Sequence, residues 1–165
     1  MVTLIQRLLG IAMLRLGPQD LPAGPSVLLA TLAIYMLAAA FSLSLGSPSG
    51  SPTTILLLAT GLPMILTWVV LRLGKKTSRW EQTLSALYGT SALLTLLSLP
   101  LNLQSGSEPM PPVVLLSLVI FLWSFAVDAH IWRHALDTNF AQGLAVAMIM
   151  FLISFGVISS VAGPL

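Results

Sequence analysis

The residues best suited to chemistry lie near the C-terminal end of one apolar segment. His130 and His134 are four residues apart, and Asp137 follows three residues later. At 100° per residue these three side chains fall within a narrow arc of a helix, a pattern typical of metal sites with two histidine ligands. The same three groups could also serve a membrane enzyme that acts on lipid at the bilayer surface.

A collar of solvated polar side chains at the end of a membrane span explains the same residues without a metal. Arg133 and Asp137 are four residues apart and predict a salt bridge. A zinc site needs further ligands, but the chain has only these two histidines and no cysteine. We therefore expect no metal and no cofactor, and loss of both histidines should leave the protein folded.

Asp128 is a separate candidate, because it points about 200° away from His130 around the helix and lies deeper in the apolar segment. A carboxylate at that depth costs several kcal/mol unless it is paired or protonated. Two interpretations stay open. In the structural one, which we favour, ionised Asp128 pairs with an arginine at the end of a neighbouring segment: Arg72, Arg79 or Arg15. In the functional one, it handles a proton or a substrate.

The elements that position these residues are membrane-spanning helices. Charged residues make up only 7% of the 165 residues, against about 25% in soluble domains. A hydrocarbon core about 30 Å thick needs roughly 20 helical residues, which is the length of the uncharged stretches in this chain. We predict an all-α bundle of five transmembrane helices that forms a single membrane domain over residues 1–165. The predicted spans are residues 26–45, 53–73, 80–103, 112–134 and 140–162.

A short amphipathic helix is predicted before the first span, over residues 2–16. Thr3, Gln6 and Arg7 share one strip of this helix, and leucine and isoleucine side chains lie opposite. Such a helix is expected to lie in the membrane interface, with its apolar side toward the acyl chains.

Two features inside the spans should shape the bundle. Pro63 should bend the second span and leave the carbonyl of Ala59 without its usual donor. Tyr88 lies deep enough to need an internal hydrogen-bond partner. Gly143 and Gly156 in the fifth span could each allow a neighbouring helix to approach closely.

The seven cations predict the orientation. They fall before the first span (Arg7, Arg15), between the second and third spans (Arg72, Lys75, Lys76, Arg79) and between the fourth and fifth spans (Arg133). With five alternating spans, all three places lie on one side of the membrane. The positive-inside rule then predicts a cytoplasmic N-terminus and an external C-terminus, in a bacterial inner membrane. The basic group between the second and third spans could also attract anionic lipid headgroups.

Three classes of function are compatible with this sequence. No glycine-rich phosphate loop, nucleophile elbow or HExxH motif occurs, so we expect neither nucleotide nor nucleic acid as a partner. The first class is a non-enzymatic small subunit, assembly factor or scaffold, whose partners are the lipid bilayer and other membrane proteins or further copies of itself. The second is a small channel or proton-coupled carrier that uses Asp128. The third is an enzyme at His130, His134 and Asp137.

Overall fold

A computed structural model describes residues 3–46, 50–104 and 110–162. Within these ranges the protein contains α-helices and short 3₁₀ turns but no strand. The helices are α1 (Leu4–Ala12), α2 (Pro25–Leu45), α3 (Pro52–Leu73), α4 (Trp80–Gln104), α5 (Pro111–Leu136) and α6 (Phe140–Ala162). Five of them, α2 to α6, are long and apolar enough to cross a membrane. The prediction of an all-helical protein with five helices of sufficient length and apolar character to cross a membrane is confirmed.

Proline sets the start of three spans. Pro25, Pro52 and Pro111 each occupy the first turn of their helix, where the missing N–H would have had no partner in the helix. The end of α5 is equally sharp. Asp137 takes a left-handed conformation with φ 55° and ψ 47°, so the helix stops at Leu136.

The bundle is packed around α4, which contacts α1, α2, α3 and α5, while α6 lies against α5 and α3. The largest buried cluster joins α1 to α3, α4, α5 and α6, and its members include Leu8, Ile11, Leu71 and Trp132. The end of the bundle where residues 3–24, 74–79 and 137–139 meet is called the charged end. The smaller cluster around Ile55 and Ile158 joins α3 to α6.

Helix α1 covers Leu4–Ala12, a shorter stretch than the predicted residues 2–16, and begins with a capping box. The backbone N–H of Gln6 donates to Thr3 Oγ1, and the N–H of Thr3 donates to Gln6 Oε1. The helix packs against α4 and α5. Leu8 and Ile11 are buried there, whereas Leu9 is exposed on the outer side. Apolar side chains therefore occupy both sides of α1.

Close backbone contact between α5 and α6 occurs at Gly143. A Cβ atom at this position would collide with the backbone of Ala129 and Arg133 in α5. Gly156 differs, because a Cβ there would meet no atom within 4 Å. Of the two glycines in this span, Gly143 is the one that brings two helices together.

Candidate functional site

The charged end is held by Asp137. Its carboxylate accepts from Lys76 Nζ at 2.6 Å and from Arg79 Nη1 at 2.8 Å. Arg79 also donates to the carbonyls of His134 (2.9 Å) and Ala135 (3.1 Å) at the end of α5. These hydrogen bonds, from Arg79 first and then Lys76, lower the pKa of Asp137 to about 2. The connection between α3 and α4 is thereby fastened to the end of α5.

The salt bridge predicted between Arg133 and Asp137 is not formed. Because Asp137 has left the helical conformation, it no longer lies one turn above Arg133. In the part of the chain that the structure describes, both ion pairs within 4.0 Å belong to Asp137 and its two partners Lys76 and Arg79. Arg133 instead lies beside His134, with Nη2 3.4 Å from Nε2.

The two histidines are neighbours with different surroundings. The ring centroids of His130 and His134 are 4.7 Å apart, with the planes steeply inclined. Nε2 of His130 lies 2.9 Å from the carbonyl oxygen of Leu16, so this ring ties the segment after α1 to α5. His134 and Asp137 line a cleft of about 220 Å³ at the charged end, of which His130 is not part. No group of three metal-ligating side chains that could hold an ion occurs within residues 3–46, 50–104 and 110–162.

Asp128 lies away from this end, half-buried on the face of α5 that looks into the bundle. It borders a cavity of about 180 Å³. All five spans contribute to the wall, with Tyr35 from α2, Pro63 from α3, Tyr88 from α4 and Phe151 from α6. The cavity therefore lies between the five spans and is partly enclosed by them.

The ion pair predicted for Asp128 is not seen among the described residues. Arg79 is bound to Asp137 and to the end of α5. The guanidinium of Arg72 lies over a tryptophan ring of its own helix, 4.9 Å from the ring centre, and Arg15 is exposed. Asp128 precedes Asp137 by nine residues, which is about 13 Å along a helix. The cations at the charged end do not extend as far as Asp128.

The proline in α3 explains where the two cavity tyrosines direct their hydroxyl groups. Pro63 has no N–H, so the carbonyl of Ala59 lacks its helical donor. Tyr35 Oη donates to this carbonyl at 3.4 Å, and Tyr88 Oη donates to the next one, at Thr60. The internal partner predicted for Tyr88 is thus confirmed.

Sequence reasoning missed three residues of this site. Tyr35 could have been found by the argument used for Tyr88, since both are tyrosines inside an apolar span. Ser91 and Ser154 also border the cavity, but a serine in an apolar helix carries no signal of what it faces. Their positions depend on how α4 and α6 are rotated in the bundle.

The arrangement can hold a proton or a cation. It offers one carboxylate, and its volume corresponds to about six water molecules at roughly 30 Å³ each. The lining contains no arginine, lysine or histidine to neutralise the acid. No protein-family model, curated protein or solved structure matches this chain.

Proposed function

We propose that the protein is a small membrane carrier in which Asp128 takes up a proton or a cation at the centre of the five-helix bundle. The observation that supports it most is the position of this carboxylate. It borders a cavity built by all five spans, and both ion pairs of the described residues lie elsewhere. An intramembrane acid costs several kcal/mol, and acids retained at such positions mark proton and substrate pathways.

The kink at Pro63 supports the same proposal. Interrupted helices near the middle of the membrane commonly flank the binding sites of carriers, because freed backbone groups can be satisfied there. Here the freed carbonyl of Ala59 is held by one weak bond from Tyr35, at 3.4 Å. A movement of α2 against α3 could break that contact and reshape the cavity wall.

The test is proton flux in liposomes that contain the purified protein and a trapped pH dye. Wild type should dissipate an imposed pH gradient, and Asp128→Asn should not, because the amide cannot take up the proton. Glu81→Gln is the matched control, since Glu81 is another carboxylate of the spans and does not border the cavity. Equal proton flux through Asp128→Asn, or none through folded wild type, contradicts proton uptake at Asp128.

The proposed orientation places the charged end in the cytoplasm of a bacterial inner membrane, on the basis of the positive-inside rule. The acid Glu108, Ser49 and Leu165 would face outside, and all three lie outside the described residues. An impermeant thiol reagent added to intact cells should label Ser49→Cys but not Lys75→Cys. The reverse pattern would overturn the orientation.

We also propose that α1 rests in the cytoplasmic interface, where its outer apolar side chains meet lipid. Of the basic residues suited to anionic headgroups, Arg72 and Lys75 are exposed, whereas Lys76 and Arg79 are engaged by Asp137. Binding of anionic lipid to the protein should therefore weaken in Arg72→Gln and in Lys75→Gln.

A role as subunit, assembly factor or scaffold is the second candidate, and the outer part of α5 favours it. Between α4 and α5 lies an open groove of about 280 Å³ with hydroxyl side chains on both walls: Thr95, Ser98, Ser117 and Ser124. Small hydroxyl residues let membrane helices approach closely. Mass spectrometry after purification in mild detergent should then find a membrane protein, or a second copy, that is lost in Ser117→Leu.

A further inference from the structure

We propose that the cavity beside Asp128 binds a small alkylammonium ion, with Asp128 as the counter-ion and the surrounding aromatic rings as the walls. This inference rests on the proposed carrier function and names the class of cation that would occupy its site.

The charge of the lining favours a single positive charge. Among the residues that the structure describes, Asp128 is the one acid that borders the cavity, and no basic side chain does. Tyr35 and Tyr88 are neutral hydrogen-bond donors, already directed at backbone carbonyls of α3. Inside a membrane an ionised carboxylate needs a compensating charge, so the site is complementary to a monocation and opposed to an anion.

The aromatic side chains favour an ammonium. Four rings border the cavity, those of Tyr35, Tyr88, Trp132 and Phe151. The centroids of Tyr35 and Tyr88 are 5.2 Å apart, and Trp132 is buried. Ring faces attract ammonium groups electrostatically, and aromatic cages bind alkylated amines in this way.

A metal ion fits this lining less well. Calcium requires six to eight oxygen ligands and magnesium a near-octahedral set. The cavity supplies one carboxylate and the hydroxyls of Ser91 and Ser154, while the hydroxyls of Tyr35 and Tyr88 lie at backbone carbonyls of α3. A volume of about 180 Å³ is also large for a bare ion but suits an amine of several non-hydrogen atoms.

The test is isothermal titration of the full chain in detergent with n-butylammonium and with tetramethylammonium, each against sodium at equal ionic strength. Saturable binding of an ammonium, but not of sodium, is expected. Asp128→Asn should weaken it roughly tenfold or more, since the counter-ion is lost. Phe151→Leu should weaken it by a smaller factor through the lost ring face, and Glu81→Gln should bind like wild type.

Circular dichroism must first show that each variant is folded. Phe151, which is 38% exposed, provides a second variant that should fold even if Asp128→Asn does not. No saturable binding to folded wild type, or binding unchanged in both cavity variants, overturns the inference. Flux that depends on Asp128 without ammonium binding retains the carrier and rejects this ligand, whereas binding without any flux retains the site and rejects the carrier.

Discussion

Two aspartates nine residues apart have opposite surroundings. Asp137 at the end of α5 is exposed and yet has two cationic partners. Asp128 within α5 is half-buried, and its carboxylate has neither an ion pair nor a hydrogen bond among the described residues. The carboxylate that water already solvates is paired, while the one that would gain most from a partner is not. An interior acid kept without a structural partner is better explained by what it binds.

The difference follows from where the cations lie. Lysine and arginine occur only in the segment before the first span, in the connection between the second and third spans, and in the last turns of α3 and α5. At these positions long side chains can extend their charged groups to water. Arg79 could have turned inward, but the end of α5 offers it two carbonyls and a carboxylate. Arg79 is therefore bound at the charged end and does not pair with Asp128.

The largest expected effect on stability comes from a substitution at the contact between α5 and α6. On α5 this contact lies between the two aspartates. Gly143→Ala places a methyl group against the α5 backbone, which cannot move aside as a side chain can, and it should lower stability by about 1–3 kcal/mol. Gly156→Ala is the matched control in the same helix, where the added methyl meets open space. Thermal unfolding in detergent measures both, and equal melting temperatures would disprove the close contact.

The charged end should depend on Arg79 more than on Lys76. Arg79→Met removes three hydrogen bonds that fasten the connection between α3 and α4 to the end of α5 and should cost roughly 1–2 kcal/mol. Lys76→Met removes one exposed contact and leaves Asp137 paired with Arg79. Chemical unfolding of the two variants tests this, and a larger loss in Lys76→Met would contradict it.

Substitution of the carboxylate at the cavity should not lower stability in the way that Arg79→Met does. Asp128→Asn breaks no ion pair of the described residues and relieves a carboxylate of its desolvation, so stability should stay within about 1 kcal/mol of wild type or rise. A structural salt bridge, as the sequence alone suggested, predicts a clear loss instead. A drop in melting temperature as large as that of Arg79→Met would restore the structural interpretation.

The smallest effect is the pH dependence at Asp137. Its pKa is lowered to about 2 in the folded protein, below an unfolded value of about 3.9. The pair therefore adds stability above pH 4, and this contribution declines as the pH falls toward 2. The difference in melting temperature between wild type and Asp137→Asn should accordingly shrink between pH 5 and pH 3. A difference in melting temperature that grows over this interval would mean that Lys76 and Arg79 do not stabilise the ionised carboxylate of Asp137.

The spans could be predicted from the sequence because their signal is local. Length, apolar composition and the prolines at Pro25, Pro52 and Pro111 are read from neighbouring residues alone. The surroundings of Asp128 were not predictable in this way, because Tyr35 and Ser154 come from helices distant in the sequence. One local feature was also missed. Helical spacing paired Arg133 with Asp137, but the left-handed residue at the helix end placed Asp137 elsewhere.

Helix α1 also constrains the order in which the protein can be completed. The ribosome delivers this segment before the spans, yet some of the groups that hold it are made much later. Trp123 Nε1 donates to the carbonyl of Ala12 across 111 residues, and His130 contacts Leu16 across 114. Until α5 has been synthesised and inserted, α1 can pack only on α4, and part of the core around Leu8 and Ile11 is missing. Complete docking of α1 is thus a late step of biogenesis, because it requires the fourth span.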